Sequence, residues 1–392
     1  MKTAIIGASS AGLYLAIFLK KKHPENEVVV FDKNDKIGKK LYATGNGRCN
    51  LLNSATGPKD FNHPIYMGPL LEKYDLPRLK SELGSIGVEL VNDGAYVYPA
   101  SLSAASFVKY LTDVALALGV EFRLSTKVFD YQKTSGWLLK TDKGDFLFDR
   151  LVFATGGMSQ SKLGSDGSLF LVFFRHGYQI VPLKPSLCPI ATKEDTASLS
   201  GLRHEARVTV NADGRIIHEE EGEVLFKDDG LSGIVIFNCE ASIAHLSYEA
   251  AVSLSLDLFP AISQTELASR LLADQKINPK FFLDAFLAPA LRDYILKEAG
   301  PFAKGKSLTK VEVYEVAKAM KGLELHFDHA YSFDNSQVTS GGVSLDEVGD
   351  HLFSKSEEGI AFAGECLDID GLCGGHNLTW CLISALLISE AS

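Results

Sequence analysis

Near the start of the chain, Gly7-Ala8-Ser9-Ser10-Ala11-Gly12 sets small residues at the spacing G-x-G-x-x-G, with Ser9 in the second glycine position. The chemistry that needs this spacing is close approach of backbone to phosphate. Gly7 permits a tight turn, a small residue at position 9 admits a pyrophosphate, and Gly12 lets a helix pack closely on a strand. Phosphates then face the free N–H groups and positive dipole end of that helix. Asp32 follows Gly12 by twenty residues, where a carboxylate accepts hydrogen bonds from an adenosine ribose. A carboxylate there favours an unphosphorylated ribose, hence FAD or NAD over NADP.

The elements that must position these groups are legible on either side. Lys2 to Ile6 reads as a short apolar strand, Ala11 to Lys22 as a helix stopped by His23-Pro24, and Glu27 to Phe31 as a β-branched strand. The apolar run Ala4 to Leu19 is flanked by lysines, as in a signal peptide. It is broken by the glycine segment, lacks a small-residue cleavage site and falls short of the ~20 residues that span a bilayer. A soluble, cytoplasmic protein with no membrane partner is expected.

Three further small-residue clusters lie far apart. Thr44-Gly45-Asn46-Gly47-Arg48-Cys49-Asn50 follows Ile37-Gly38-Lys39-Lys40. Ala154-Thr155-Gly156-Gly157 ends the apolar strand Leu151 to Phe153. Ala363-Gly364-Glu365 leads through Asp368 and Asp370 to Gly371-Leu372-Cys373-Gly374-Gly375-His376-Asn377 and an apolar helix, Leu378 to Glu390. Glycine at this density lets backbone lie against a flat ligand and offers N–H donors.

With these motifs in place the chain resembles the BaiN-type bacterial NAD(P)/FAD-dependent oxidoreductases, a family that includes proteins labelled aminoacetone oxidase family FAD-binding enzymes. The resemblance runs over nearly the whole chain and rests on residues 36–50, 153–157, 164–167, 230–233, 338–348 and 362–377. Ser9 stands for the usual glycine, Leu52 where threonine is common, and His376 where tyrosine is common. The resemblance implies FAD bound in an extended conformation. Gly7, Ser10, Gly12 and Asp32 would face its ADP half, and Arg48, Asn50 and Gly157 would lie nearer the flavin or its phosphates. Glu365 would meet the ribityl chain, and Gly375, His376 and Asn377 the flavin ring. Also counted with the cofactor are Ser9, Ala11, Lys33, Lys40, Gly47, Cys49, Ala154, Thr155, Gly156 and Gly364. His376, Asn377 and Arg48 are the candidates for a direct catalytic part.

Organisation follows from the same clusters. The expected fold class is α/β, a Rossmann-like FAD-binding domain of the two-dinucleotide-fold type built from residues 1–190 and 336–392. Helices are expected at Leu70 to Ile86 and Ala104 to Leu118, a strand at Gly119 to Leu124, and a polar meander over Lys127 to Phe148. Residues 191–335 form an insertion that lids the flavin: β-rich over 191–260 with a turn at Asp213-Gly214, helical over 261–322, and a return strand over 323–335. Leu271-Leu272, Phe281-Phe282 and Val311 to Val316 supply the helical apolar faces, and Glu219-Glu220-Glu221 a solvated hairpin.

Charge and composition narrow the function. The 39 Lys and Arg against 49 Asp and Glu give a net charge of −10, which disfavours a nucleic-acid partner. The six cysteines form no CxxC pair and no zinc spacing, so free thiols and no metal are expected. Cys366 and Cys373 read as packing residues, Asp368 and Asp370 as loop and helix caps, and His176, His326 and His329 as structural. No second strand–GxGxxG–helix unit is present for a nicotinamide cofactor. The primary expectation is therefore an oxidase of a small amine or amino ketone, with hydride passing to flavin N5 and O2 reduced to hydrogen peroxide. The alternatives are an NAD(P)H-dependent reductase of a conjugated C=C bond and a non-catalytic FAD-binding protein. Substrate and oligomeric state are not encoded in any motif.

Overall fold

The computed structural model describes residues 1–247, 249–277, 282–302 and 307–392. They divide into two units, residues 1–186 with 333–392, and residues 187–332.

The first unit is organised by a five-stranded parallel sheet in the order Ile360–Phe362, Arg150–Phe153, Lys2–Ile6, Glu27–Phe31, Glu121–Arg123. All but the edge strand Glu121–Arg123 are largely apolar, buried runs, because helices and a second sheet cover both faces. Register brings Ile6 opposite Phe31 and Phe153, and Phe153 opposite Phe362. Gly7, Asp32, Ala154 and Ala363 therefore all emerge at the carboxyl edge. The chain runs outward in both directions from Lys2–Ile6, so this edge is also where strand order reverses, the usual ligand crevice of an open α/β sheet.

The helix Ser10–Lys22 has every residue from Ser10 to Lys20 buried. An all-round apolar helix of this kind needs cover on each side, and the C-terminal helix His376–Glu390, also buried through most of its length, packs on it. Lys20 is tolerated inside because its ammonium donates to the carbonyls of Pro24 and Asn26. The polar meander is a three-stranded antiparallel sheet, Val128–Lys133, Trp137–Thr141 and Gly144–Phe148. A small sheet of Leu52–Asn53, Tyr96–Pro99 and Leu90–Asp93 carries the residues that follow the 44–50 loop.

Two helices, Pro64–Lys73 and Leu76–Ser85, replace the single one expected over 70–86. Asp75 divides them: its side chain accepts the N–H of Arg78 at 2.9 Å, capping a new helix that starts with Pro77 in its first turn.

The second unit holds a closed six-stranded barrel in the order Ile190–Thr192, Gly230–Ser232, Arg215–Lys227, Arg203–Ala212, Val252–Asp257, Leu323–Ala330. Asp213 and Gly214 both take positive φ, 49° and 77°, as a two-residue hairpin turn requires. Helices Gln264–Ile277, Pro289–Ala299 and Lys310–Lys321 follow, with Leu271, Phe282, Val313 and Val316 buried and Val311 exposed. Phe281 lies outside the described residues. Within the acidic run, Glu219 and Glu221 face solvent, while Glu220 turns to the helix Ile234–Ala244, both its oxygens accepting from Asn238 Nδ2 at 3.0 Å with His218 Nε2 3.2 Å from Oε2.

Candidate cofactor and active site

Four chain segments converge on the carboxyl edge of the parallel sheet. Gly7 has φ +115°, and a Cβ on it would lie 2.1 Å from the carbonyl oxygen of Ala154. A Cβ on Gly12 would lie 1.9 Å from the carbonyl of Gly7. Both positions therefore demand glycine. Ser9 does not: it caps the helix in extended conformation, φ −109°, which any residue adopts. Ser10 and Ala11 are buried in the first turn behind it.

Asp32 ties the first loop together, its Oδ2 accepting the N–H of Ala8 and its Oδ1 that of Asn34, both at 2.8 Å. Each oxygen keeps a lone pair for a ribose. Beside it opens a cleft lined by Gly7, Asp32, Lys33, Thr155, Gly156 and Asp166 among others. Lys33 pairs with Asp166 at 2.5 Å on its rim.

Farther along the edge, Lys40 Nζ lies 3.0 and 3.3 Å from the two carboxylate oxygens of Glu365. The same carboxylate accepts the N–H of Thr339 at 2.9 Å. Gly157 fits beneath it, since a Cβ there would be 2.3 Å from Thr339 Oγ1. Gly364, with φ +71°, lets the chain pass close to Ala11 and Cys381, and its carbonyl accepts the indole N–H of Trp380 at 3.1 Å.

The 44–50 loop takes left-handed conformation at Gly45, Asn46, Gly47 and Cys49. The N–H groups of Arg48 and Cys49 are spent within the loop on the carbonyls of Gly45 and Thr44, at 3.0 and 3.1 Å, and a Cβ on Gly47 would enter open space. Cys49 is fully buried, and burial pushes its thiol up to about 11, so it stays protonated and fills space. Asn50 Oδ1 is a buried acceptor with no hydrogen-bond partner, and a Cβ on Gly375 would lie 3.1 Å from it. Gly374 and Gly375, at φ +132° and +99°, deliver the chain into the C-terminal helix.

The three catalytic candidates are differently employed. Arg48 ion-pairs with Asp93 at 2.9 Å and lies 4.3 Å over the Tyr98 ring, on the small sheet. Asn377 clamps the loop: its Oδ1 accepts the N–H of Gly371 at 2.9 Å and its Nδ2 donates to the same residue's carbonyl at 2.7 Å. His376 is 4% exposed, with Nδ1 3.1 Å from Thr56 Oγ1 and 3.9 Å from Asp60, and its ring meets Phe61 edge-on. Burial lowers its pKa, against the opposing pull of Asp60. Its side chain thus belongs to the packing that holds the glycine loop.

Sequence reasoning missed Asp166, Thr339, Thr56 and Asp60, along with a His63–Asp368 pair at 2.9 Å. The 164–167 motif was a signal for Asp166; the others are met only through the fold. His176 is stacked on Tyr131 at 3.8 Å and bonded to Glu357, while His326 and His329 pair with Glu194 and Asp328 in the second unit. None of the six cysteines forms a disulfide. Among the described residues no cluster of metal-ligating side chains occurs, and no helix is long and apolar enough to cross a membrane.

These features fit an extended dinucleotide: an adenosine cleft with a ribose acceptor, a paired carboxylate at mid-length, and an orphaned acceptor beside a helix N-terminus. The family described as HI0933-like protein Rossmann domain matches residues 1–391. The chain belongs to the HI0933-like family. It has the Rossmann-type FAD-binding fold, takes FAD as cofactor and is a flavoprotein oxidoreductase. Along its full length it is 27% identical to a 3-dehydro-bile acid delta(4,6)-reductase of Clostridium scindens, covering 100% of this chain and 98% of that protein. It is 24% identical to a ribosomal RNA dihydrouridine synthase of Haemophilus influenzae, over 97% of this chain and 96% of the other. Its fold is similar to that of a flavocytochrome c3 fumarate reductase in open conformation, with TM-score 0.51 and 14% identity, over 99% of this chain and 77% of that one.

Proposed function

We propose that this HI0933-like protein is a reductase of a C=C bond conjugated with a carbonyl group, supplied with electrons by a nicotinamide dinucleotide. One observation carries the reading. The two relatives match the chain end to end, the inserted unit included, and the names of both describe saturation of a C=C bond conjugated with a carbonyl. FAD, when bound, supplies a two-electron carrier able to exchange a hydride with such a substrate.

The chain's own residues do the rest. Gly7 and the N-terminus of Ser10–Lys22 would receive the pyrophosphate, Asp32 the ribose, and Glu365, neutralised by Lys40, the ribityl hydroxyls. Asn50 and the free N–H groups after Gly375 offer polar contacts to the flavin, the latter favouring partial negative charge. A nicotinamide cofactor could reach a flavin without a dinucleotide fold of its own. The net charge of −10 and the exposed Glu219, Glu221 and Glu223 favour a small molecule over RNA.

The amine-oxidase expectation enters the same experiment as its competitor. Under anaerobic conditions, NADH or NADPH should bleach the bound flavin, and 2-cyclohexen-1-one or a 3-oxo-4-ene steroid should restore its colour. Bleaching by aminoacetone but by neither nicotinamide would overturn the reductase reading in favour of the oxidase. Recolouring by a ribosomal RNA transcript alone would overturn the small-molecule assignment.

A further inference from the structure

The segment Met158 to Ser168 crosses the adenosine cleft as a strap. Its first end is firmly anchored. The N–H groups of Met158 and Ser159 donate to Thr339 Oγ1 at 2.7 and 3.1 Å, Gln160 N donates to Phe333 O at 2.9 Å, and Ser161 Oγ donates to Asp334 at 2.8 Å. At its far end Gly167 N returns to the carbonyl of Gly157 at 3.1 Å. The strap's middle meets the opposite rim, at the end of strand Glu27–Phe31, through two polar contacts. Lys33 Nζ pairs with Asp166 Oδ1 at 2.5 Å, and Asn34 Nδ2 reaches Leu163 O at 3.5 Å. The second is long for a hydrogen bond, so the ion pair is the main link.

Lys33 and Asp166 both line the cleft, as do Asp32 beside Lys33, Gly164 beside Asp166, and Gly7 and Gly156. Left-handed backbone at Gln160, Gly164 and Gly167 divides the strap at three points, and Gly164, between the two anchored ends, has no side chain to restrict its φ and ψ. Burial works to raise the Asp166 pKa, but hydrogen bonds from Lys33 and Ser168 more than offset it and hold the carboxyl below its usual range. Asp166 is therefore ionised throughout the neutral range.

We infer that Lys33 and Asp166 form a clasp across the mouth of the adenosine cleft, which must open for FAD to enter or leave. The clasp acts on rates more than on affinity, because it obstructs both directions of passage. With side chains 27% and 37% exposed, the pair is a partly solvated ion pair whose rupture costs little. An effect of several-fold on each rate constant follows.

Two substitutions break this one contact while shifting charge in opposite directions. Asp166→Asn removes a negative charge and Lys33→Gln a positive one. Binding of FAD to apoprotein and its release from holoprotein are each followed by flavin fluorescence. The clasp requires both variants to take up FAD and to release it about three- to tenfold faster than wild type. If charge steering alone sets the rates, association rises in Asp166→Asn and falls in Lys33→Gln, and the inference is overturned. It is equally overturned if release accelerates while association stays at the wild-type value, which would make the pair a simple contact. Neither readout depends on turnover, so the outcome is independent of whether the enzyme reduces enones or oxidises amines.

Discussion

Lys40 Nζ and Glu365 Oε2 meet at 3.0 Å although 325 positions separate them in the chain. The lysine comes from the loop after the second strand and the glutamate from the turn after the last one, so the contact exists only once the parallel sheet is in register. Both side chains are largely buried, and the glutamate is also fixed by Thr339 N. A carboxylate held this way presents its remaining lone pairs to hydroxyl groups of a ligand.

Glu365→Gln keeps the shape and an acceptor for Thr339 but strands the Lys40 ammonium. Affinity for FAD should fall about tenfold, or ~1.4 kcal/mol. Lys40→Met should cost more, because it leaves a buried carboxylate uncompensated. Titration of apoprotein with FAD, followed by fluorescence quenching, measures both. Unchanged affinity in both variants would confine the pair to a structural part.

The glycine motif makes a contrast inside six residues. Gly12→Ala places a methyl 1.9 Å from the Gly7 carbonyl, forcing helix and strand apart, and should destabilise the fold by at least ~2 kcal/mol. Ser9→Gly alters a position already in extended conformation, so FAD affinity should change less than threefold. Thermal unfolding of the apoprotein and FAD titration separate the two effects.

Asn50 offers a test in which stability and binding move in opposite directions. Its Oδ1 is a buried acceptor without a partner, a state that costs ~1–3 kcal/mol. Asn50→Leu removes that penalty, so apoprotein should unfold at the same temperature or higher, while the stabilisation gained on adding FAD should shrink. A fall in apoprotein stability with full FAD stabilisation would show that the acceptor does not serve the cofactor.

Local patterns are legible in the amino-acid sequence itself. The glycine spacing, Asp32 and the strand–helix–strand unit are local patterns, and their conformations follow from residues within one βαβ unit. So does the hairpin at Asp213-Gly214, where two left-handed residues suffice. Side-chain assignments in the last motif were not local. Asn377 and His376 adjoin the glycine turn in sequence, yet Asn377 is spent on Gly371 and His376 on Thr56, partners chosen by how the 56–62 segment pairs with 368–372. Arg48 likewise turns to Asp93 and Tyr98, from a sheet no motif announces. The helix break at Asp75 was readable: an Asp followed two residues later by Pro is a helix start, and the apolar periodicity that ran through it concealed it.

His376 makes the glycine loop sensitive to acid. In the folded protein its imidazole is 4% exposed, packed against Phe61 and bonded to Thr56, and burial holds its pKa below the ordinary value. In the unfolded chain the same group titrates near ~6.5. As pH falls through ~6.5 the unfolded chain takes up a proton that the folded one refuses, so stability is full above that value and declines below it until the folded pKa is passed. Asp60, 3.9 Å away, favours the imidazolium and moderates the decline without reversing it. His376→Tyr substitutes a group that stays neutral throughout this range. Unfolding temperatures of wild type and variant, measured from pH 7.5 to pH 5, should diverge as pH drops, with the wild type losing more. Parallel curves would mean that the histidine gains its proton without penalty in the fold, contrary to its buried position.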